Sequence, residues 1–320
     1  GRNALAAQNV TGSNNVYNVA VGSSAGTAIT TGVENVLIGG RAGVALTDAD
    51  NNLAIGQDSL SADTLGSRAV AMGPYTLAAQ NFTTATSNYN VAVGYAAGND
   101  ITTGIQNTLI GGLAGDALTV AESNVAVGTG ALGTETKGSR NIAIGENSLL
   151  AQNNTTASSP YNVAIGYNSG KAVTTATRAT LIGGLAGDAL TEGTKNVAVG
   201  YNSLGAATTS ERNTAIGYGS LSVNTTGDNN TALGYNALAT NVDGDRNTAV
   251  GSGALQTMEP SAGDTYNTAV GFSAGGAVTT GTKNVVVGGL ALDAANTGAE
   301  NTAIGHQALT ADTKGNRNVA

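Results

Sequence analysis

Few residues in this chain have the types and spacing that chemistry needs, so each candidate is weighed against its structural reading. Gly111-Gly112-Leu113-Ala114-Gly115-Asp116, with a second copy over 183–188, approaches the Gly-Gly-x-Gly-x-Asp pattern that holds calcium between half-coils. Its spacing differs, Val44 replaces the Asp in an earlier copy, and the carboxylates do not recur every half coil, so turn chemistry is the expected role. His306 is the only histidine and cysteine is absent, which removes disulfides and thiolate metal sites. With few carboxylates in any one place, no general acid–base set and no nucleophile constellation emerges. The expectation is a protein that is not an enzyme and carries no cofactor or metal.

Three further patterns carry possible contacts. Thr-Thr pairs begin at Thr30, Thr102, Thr174 and Thr279, once per larger block, whereas an ice-binding face needs a flat Thr array in successive coils. Tyr95, Tyr167, Tyr201, Tyr218, Tyr235 and Phe272 share one place in the repeat described below. They are candidates for gripping surface glycans through their ring faces, or for a stacking ladder that stiffens the protein, which is the preferred reading. Asn9-Val10-Thr11, Asn81-Phe82-Thr83 and Asn154-Thr155-Thr156 match the glycosylation acceptor pattern, as chance provides in a chain so rich in Asn and Thr.

Composition narrows the class. Hydrophobic residues make up 41% of 320 but aromatics only 4%, so any core is thin and built from Ala, Val, Ile and Leu. Gly numbers 47 against 3 Pro, without the Gly-X-Y period of collagen. A formal charge of −8 with 13 Lys plus Arg argues against a nucleic-acid partner. No stretch is long and apolar enough to span a bilayer, so the fragment is not expected to be membrane-embedded.

The feature that must position every candidate is a repeat. Asn213-Thr214-Ala215-Ile216-Gly217 recurs in variants from Asn18 to Asn301, with degenerate copies at Ala69 and Ala179 and a last one cut off at Asn318. Most starts are 17 residues apart, the exceptions being 21, 21 and 20. A fixed short period signals a solenoid in which each repeat is one coil stacked on the next. Residues 1–320 therefore read as a single all-β, parallel β-solenoid array (a β-roll) of about 17-residue coils. Both ends look like cuts through a longer one.

Counting the Asn as place one, place five is Gly in all 18 coils where it is visible, including Gly22, Gly39, Gly56, Gly94 and Gly217. This implies a corner with positive φ, or a close approach of two chains. Place four is always large and apolar, place two is mostly Val or Thr, and place three between them is nearly always Ala, an alternation that predicts a strand. Place nine is Leu in many coils, such as Leu60, Leu132 and Leu221, and Gly in others. Those Gly coils carry an aliphatic residue at place twelve instead, as in Ile29, Leu118 and Leu190. One slot per coil is thus filled from either of two positions. Burying so few aliphatic groups per coil does not offset the ordering of its backbone. Self-association follows as an expectation, with the Ala face and the Gly corners as the contact.

A longer period overlies the coils. Tyr17, Tyr89, Tyr161 and Tyr266 precede a motif and each follows a lengthened coil, whose added residues, such as 82–88 and 155–160, read as polar surface bulges. Asn at place one, present in 16 of 18 coils, predicts a stacked amide ladder.

The motif Asn-(Val/Thr)-Ala-(Ile/Val)-Gly resembles the head repeats of trimeric autotransporter adhesins of the YadA type, and also repeats of bacteriophage tail fibres. The resemblance runs the length of the chain through five residues per coil, and its coils are longer than the roughly fourteen residues of the adhesin heads. It implies a left-handed parallel β-roll with three identical chains side by side, and no binding residue carries over. The function expected is the shaft or head of an extracellular, cell-surface fibre that mediates attachment to surface glycans or a host receptor. The alternative is a phage tail-fibre shaft on the virion, and an ice- or calcium-binding module is the distant third.

Overall fold

The computed structural model describes residues 1–9, 15–259, 263–294 and 297–320, and these form an all-β parallel solenoid. Two compact units are distinguished, Gly1–Tyr161 and Asn162–Ala320. In the first, three-residue strands from Val19–Val21 to Ile142–Ile144 pair in parallel with no register slip, as in Val19↔Val36 and Val125↔Ile142. In the second, the strands from Val163–Ile165 to Thr302–Ile304 do the same, as in Val197↔Thr214. Each three-residue strand is places two to four of the motif, so its position follows the 17-residue period. Among the described residues no helix is long and apolar enough to cross a membrane.

The alternation is real, but its sense is the reverse of the expected one. Place three is sealed inside its own coil: Ala54, Ala126, Ala198 and Ala215 are 0% exposed, as are Leu37, Leu109 and Leu181 where Leu replaces Ala. Places two and four point outward, with Ile38, Met72, Ile110, Leu233 and Val270 between 37% and 44% exposed. The Ala face is therefore not a contact between chains. Where place nine is Leu, that side chain fills most of the narrow coil; Leu37, Leu109 and Leu181 fit at place three in coils whose place nine is Gly43, Gly115 and Gly187.

The corners also belong to one chain. Gly22, Gly39, Gly56, Gly94 and Gly217 have φ of 137°, 140°, 130°, 131° and 132°. A Cβ on Gly217 would lie 2.4 Å from the Gly234 carbonyl oxygen in the next coil. The close approach inferred from sequence is thus between successive coils, which corrects the reading of these glycines as an interchain contact.

Three further turns per coil use the left-handed region, at places seven, nine and seventeen: Asn202, Leu204 and Arg212 have φ of 54°, 53° and 57°. Each points its N–H along the stacking direction. Asn202 N–H donates to Gly184 O at 3.0 Å, Leu204 N–H to Ser220 O at 3.0 Å and Arg212 N–H to Thr194 O at 3.0 Å. Place nine explains the Leu/Gly choice. Gly187 (φ 55°) meets this torsion freely, with Leu190 and Leu181 filling the slot, whereas Leu221 (φ 48°) accepts it while burying its own side chain completely. Left-handed φ costs a Cβ-bearing residue about 1–2 kcal/mol. Leu221→Ala keeps that strain and empties the slot, for an expected loss of about 3 kcal/mol. Leu221→Gly empties it and relieves the strain, so it is expected to cost about 0.5–1 kcal/mol less than Ala. Chemical denaturation of the two variants decides, and Ala proving the milder one would remove strain from the account.

The Asn ladder is buried and couples side chain to backbone. Asn213 N–H donates to Asn196 Oδ1 at 3.0 Å, while Asn213 Nδ2 donates to Gly227 O at 2.8 Å within its own coil. Direct amide–amide bonds accompany it in places, as from Asn124 Nδ2 to Asn107 Oδ1 at 3.2 Å. Where Ala69 interrupts the ladder, Asn88 repairs it by offering Oδ1 to Asn90 N–H at 2.9 Å. Ala179 offers no such oxygen to Asn196. Asn107 occupies its place in a coil with the same slot residues and donates to Ala121 O at 2.9 Å. Ala179→Asn is therefore expected to stabilise the chain by about 1 kcal/mol, raising the denaturation midpoint; a lower midpoint would show that the site lacks room.

A second ladder escaped the sequence reading. Place thirteen is Thr in successive coils, and its hydroxyl donates to the carbonyl of the next one: Thr174 to Thr191 at 3.2 Å, Thr191 to Thr208 at 3.0 Å, Thr208 to Thr225 at 3.3 Å. The first member of each Thr-Thr pair belongs to this row. Its hydroxyl protons are used within the protein, so the array is a structural seam.

The lengthened coils are not merely polar bulges. Phe82 is 6% exposed and Asn88 is buried, because a buried acid gathers the added backbone. Asp63 accepts from Gly66 N–H and Phe82 N–H, both at 3.0 Å, and from Gln80 Nε2 at 2.7 Å. Glu135 Oε1 accepts from the N–H groups of Thr136, Lys137, Gly138 and Asn154 at 2.7–3.0 Å. Its Oε2 accepts from Gln152 Nε2 at 2.9 Å and Asn154 Nδ2 at 2.7 Å. Burial pushes the Asp63 carboxyl above its ordinary value, against the opposing hydrogen bonds from Gln80, Phe82, Gly66 and Thr64. A raised acid disfavours the charged folded form, so Asp63 costs no stability below its unfolded value, and the cost grows as pH rises through the folded one.

Candidate functional site

Three surface features are built by this scaffold. The first is the outward sheet face. Places two and four of stacked, in-register strands put Thr or Val beside Ile, Val or Leu along each unit, as in Thr214, Ile216, Thr231 and Leu233. The face is apolar along its place-four row.

The second is the aromatic row at place six. Tyr95, Tyr167, Tyr201, Tyr218, Tyr235 and Phe272 are 51–62% exposed. Tyr201 and Tyr218 stack at 5.5 Å with an 18° interplanar angle, and Tyr218 and Tyr235 at 5.5 Å and 15°. Both faces of Tyr218 are thereby covered by its neighbours, and the row presents ring edges and hydroxyls outward. Tyr201, Tyr218 and Tyr235 thus stack as a ladder of three rings. Tyr95 instead meets Tyr75 edge-on, with ring centroids 6.0 Å apart. His306 lies at the same place and its ring packs beside Gly289.

The third feature was missed in the sequence reading. Arg68, Arg140 and Arg246 lie one lengthened coil before Tyr89, Tyr161 and Tyr266, and each guanidinium sits over the corresponding ring, at 5.9, 6.0 and 5.6 Å. The signal was available in the sequence, since Arg precedes Tyr by the length of the lengthened coil each time. The partner of each guanidinium is set three residues before the next motif: Ser87, Ser159 or Asp264. Beside Arg140 a cavity of about 300 Å³ opens, bordered by Val120, Glu122, Lys137, Ser139 and residues 157–159.

The remaining candidates separate. Asp116, at the end of the calcium-like motif, is half-buried, and its carboxyl is raised chiefly by burial and further by Asp100 nearby. Among the described residues no group of three or more His, Asp or Glu is placed to hold a metal ion. Asn81 is exposed, whereas Asn154 commits its amide to Glu135; the acceptor pattern at Asn9 extends outside the described residues. Comparison with protein-family models and with curated proteins finds no match to this chain.

Proposed function

We propose that this chain is the stacked-coil part of an extracellular fibre that assembles from identical chains and serves attachment at a surface. The observation that carries the reading is the outward apolar row: Ile38, Met72, Ile110, Leu233 and Val270 are all more than a third exposed, while the small Ala residues are sealed within. Within each unit these residues form an exposed apolar row on the outward sheet face, and such a row marks an interaction surface. Its regular period favours a partner of the same period, which is another copy of this chain. The resemblance of the five-residue motif to trimeric adhesin heads supports a copy number of three.

Sedimentation velocity on the purified chain is expected to report a three-chain assembly. The double variant Val199→Asp/Ile216→Asp places charges on the outward face without touching the inner Ala row, and is expected to sediment as a monomer with an unchanged β-type circular dichroism spectrum. A wild-type chain that remains monomeric at all concentrations, or a double variant that assembles like wild type, overturns the reading.

A further inference from the structure

The three Arg–Tyr sites are three versions of one arrangement, and the differences between them indicate a ligand. In the version at Arg246 the guanidinium is ion-paired with Asp264, and the same carboxylate accepts from the Tyr266 hydroxyl at 3.0 Å. A carboxylate from the chain itself thus shows where an anion fits between Arg and Tyr. In the version at Arg140 the equivalent residue is Ser159, so the guanidinium meets a neutral hydroxyl and keeps its charge uncompensated there. Lys137 adds a second cation at the position held by Leu65 and Asp243 in the other two versions. Two of the chain's 13 Lys and Arg residues therefore border one cavity, against the single acid Glu122.

The cavity has the size and lining for more than an ion. Its volume of about 300 Å³ lies at the lower end of small-molecule sites. Val120 and Ala157 supply apolar walls.

We propose that this cavity binds a carboxylate-bearing saccharide residue, a uronic acid, with Arg140 and Lys137 holding the carboxylate, the Tyr161 ring supporting Arg140, and Ser159 bonding a sugar hydroxyl. The ligand class rests on the attachment reading above, whereas the cavity and its charge do not. Charge-assisted bonds to Arg and Lys are about twice as strong as neutral ones and supply the discrimination against neutral sugars.

The test is calorimetric and ligand-observed NMR titration of the full chain with galacturonate and glucuronate oligosaccharides, and with glucose oligosaccharides and acetate as controls. Uronate oligosaccharides are expected to bind, and both controls to bind at least about tenfold more weakly. Ser159→Asp, which supplies the internal carboxylate of the Arg246 version, is expected to abolish binding without lowering the melting temperature. Lys137→Leu, which restores the Arg68 version, is expected to weaken it about tenfold. Uronate binding that survives Ser159→Asp, acetate or glucose binding as well as uronate, or no uronate binding by the wild type would each overturn the proposal. Sedimentation of the same samples reports self-association independently, so a failure of this site is distinguishable from a failure of the fibre reading.

Discussion

Gly217→Val is expected to lose at least about 4 kcal/mol of stability, the range reserved for steric conflicts that the surroundings cannot relax. Two effects act at once. The φ of 132° is essentially restricted to glycine. The added Cβ would lie 2.4 Å from the Gly234 carbonyl oxygen and 2.6 Å from its carbon, which are backbone atoms fixed by the coil stack. The Gly217 N–H also donates to Val199 O at 2.8 Å, so a shift that relieves one clash breaks a ladder bond on the other side. Thr209→Val is the control: Thr209 is exposed at place fourteen, and its change is expected to stay within about 0.5 kcal/mol. Because the conflict lies within one chain, the loss should appear at dilutions where the chain is monomeric. Equal melting of the two variants, or a defect confined to assembly, would return place five to an interchain role.

Glu135→Ala comes second, with an expected loss of about 3–5 kcal/mol. One carboxylate accepts four backbone N–H groups and two side-chain amides, and it is fully buried. Truncation leaves those donors unpaired around a void and frees the added residues of the lengthened coil. Glu135→Gln keeps an acceptor for the backbone but sets a new amide against Gln152 Nε2 and Asn154 Nδ2, so about half of the loss should remain. Hydrogen exchange should localise the effect to residues 136–154, and an exposed acid, Glu192→Ala, should change little. An alanine variant as stable as wild type would mean that water replaces the carboxylate.

The two glutamates differ by nothing visible in their immediate sequence. What separates them is place: Glu135 stands at place twelve of a coil with Leu at place nine, a position turned inward by the left-handed Leu132 before it. The sequence reading recognised the aliphatic residues that fill place twelve in the Gly coils. The buried Asp63, Gln80, Glu135 and Gln152 that occupy it in four of the Leu coils were not recognised, because polar residues carry no periodic apolar signal. The Thr seam was missed for a related reason: the Thr-Thr pairs stand out, whereas the same place is a lone Thr at Thr47, Thr119 and Thr191 and is interrupted by Asn81, Asn153, Val242 and Glu259.

The 17-residue period determined by itself that the chain is a parallel solenoid, where its strands lie, which glycines cannot change and that the Asn residues stack. These follow from sequence because a repeat constrains each coil by the coil on either side, and equal residues at equal places must meet equal surroundings. Which face of each strand looks inward was decided only in three dimensions. An Ala flanked by β-branched residues satisfies the alternation in either sense, and the coil has space inside for the Ala methyl group in most coils and for Leu37, Leu109 and Leu181 where place nine is Gly. The Arg–Tyr sites and the cavity beside Arg140 were also settled there. Their residues lie one lengthened coil apart, and stacking brings them together.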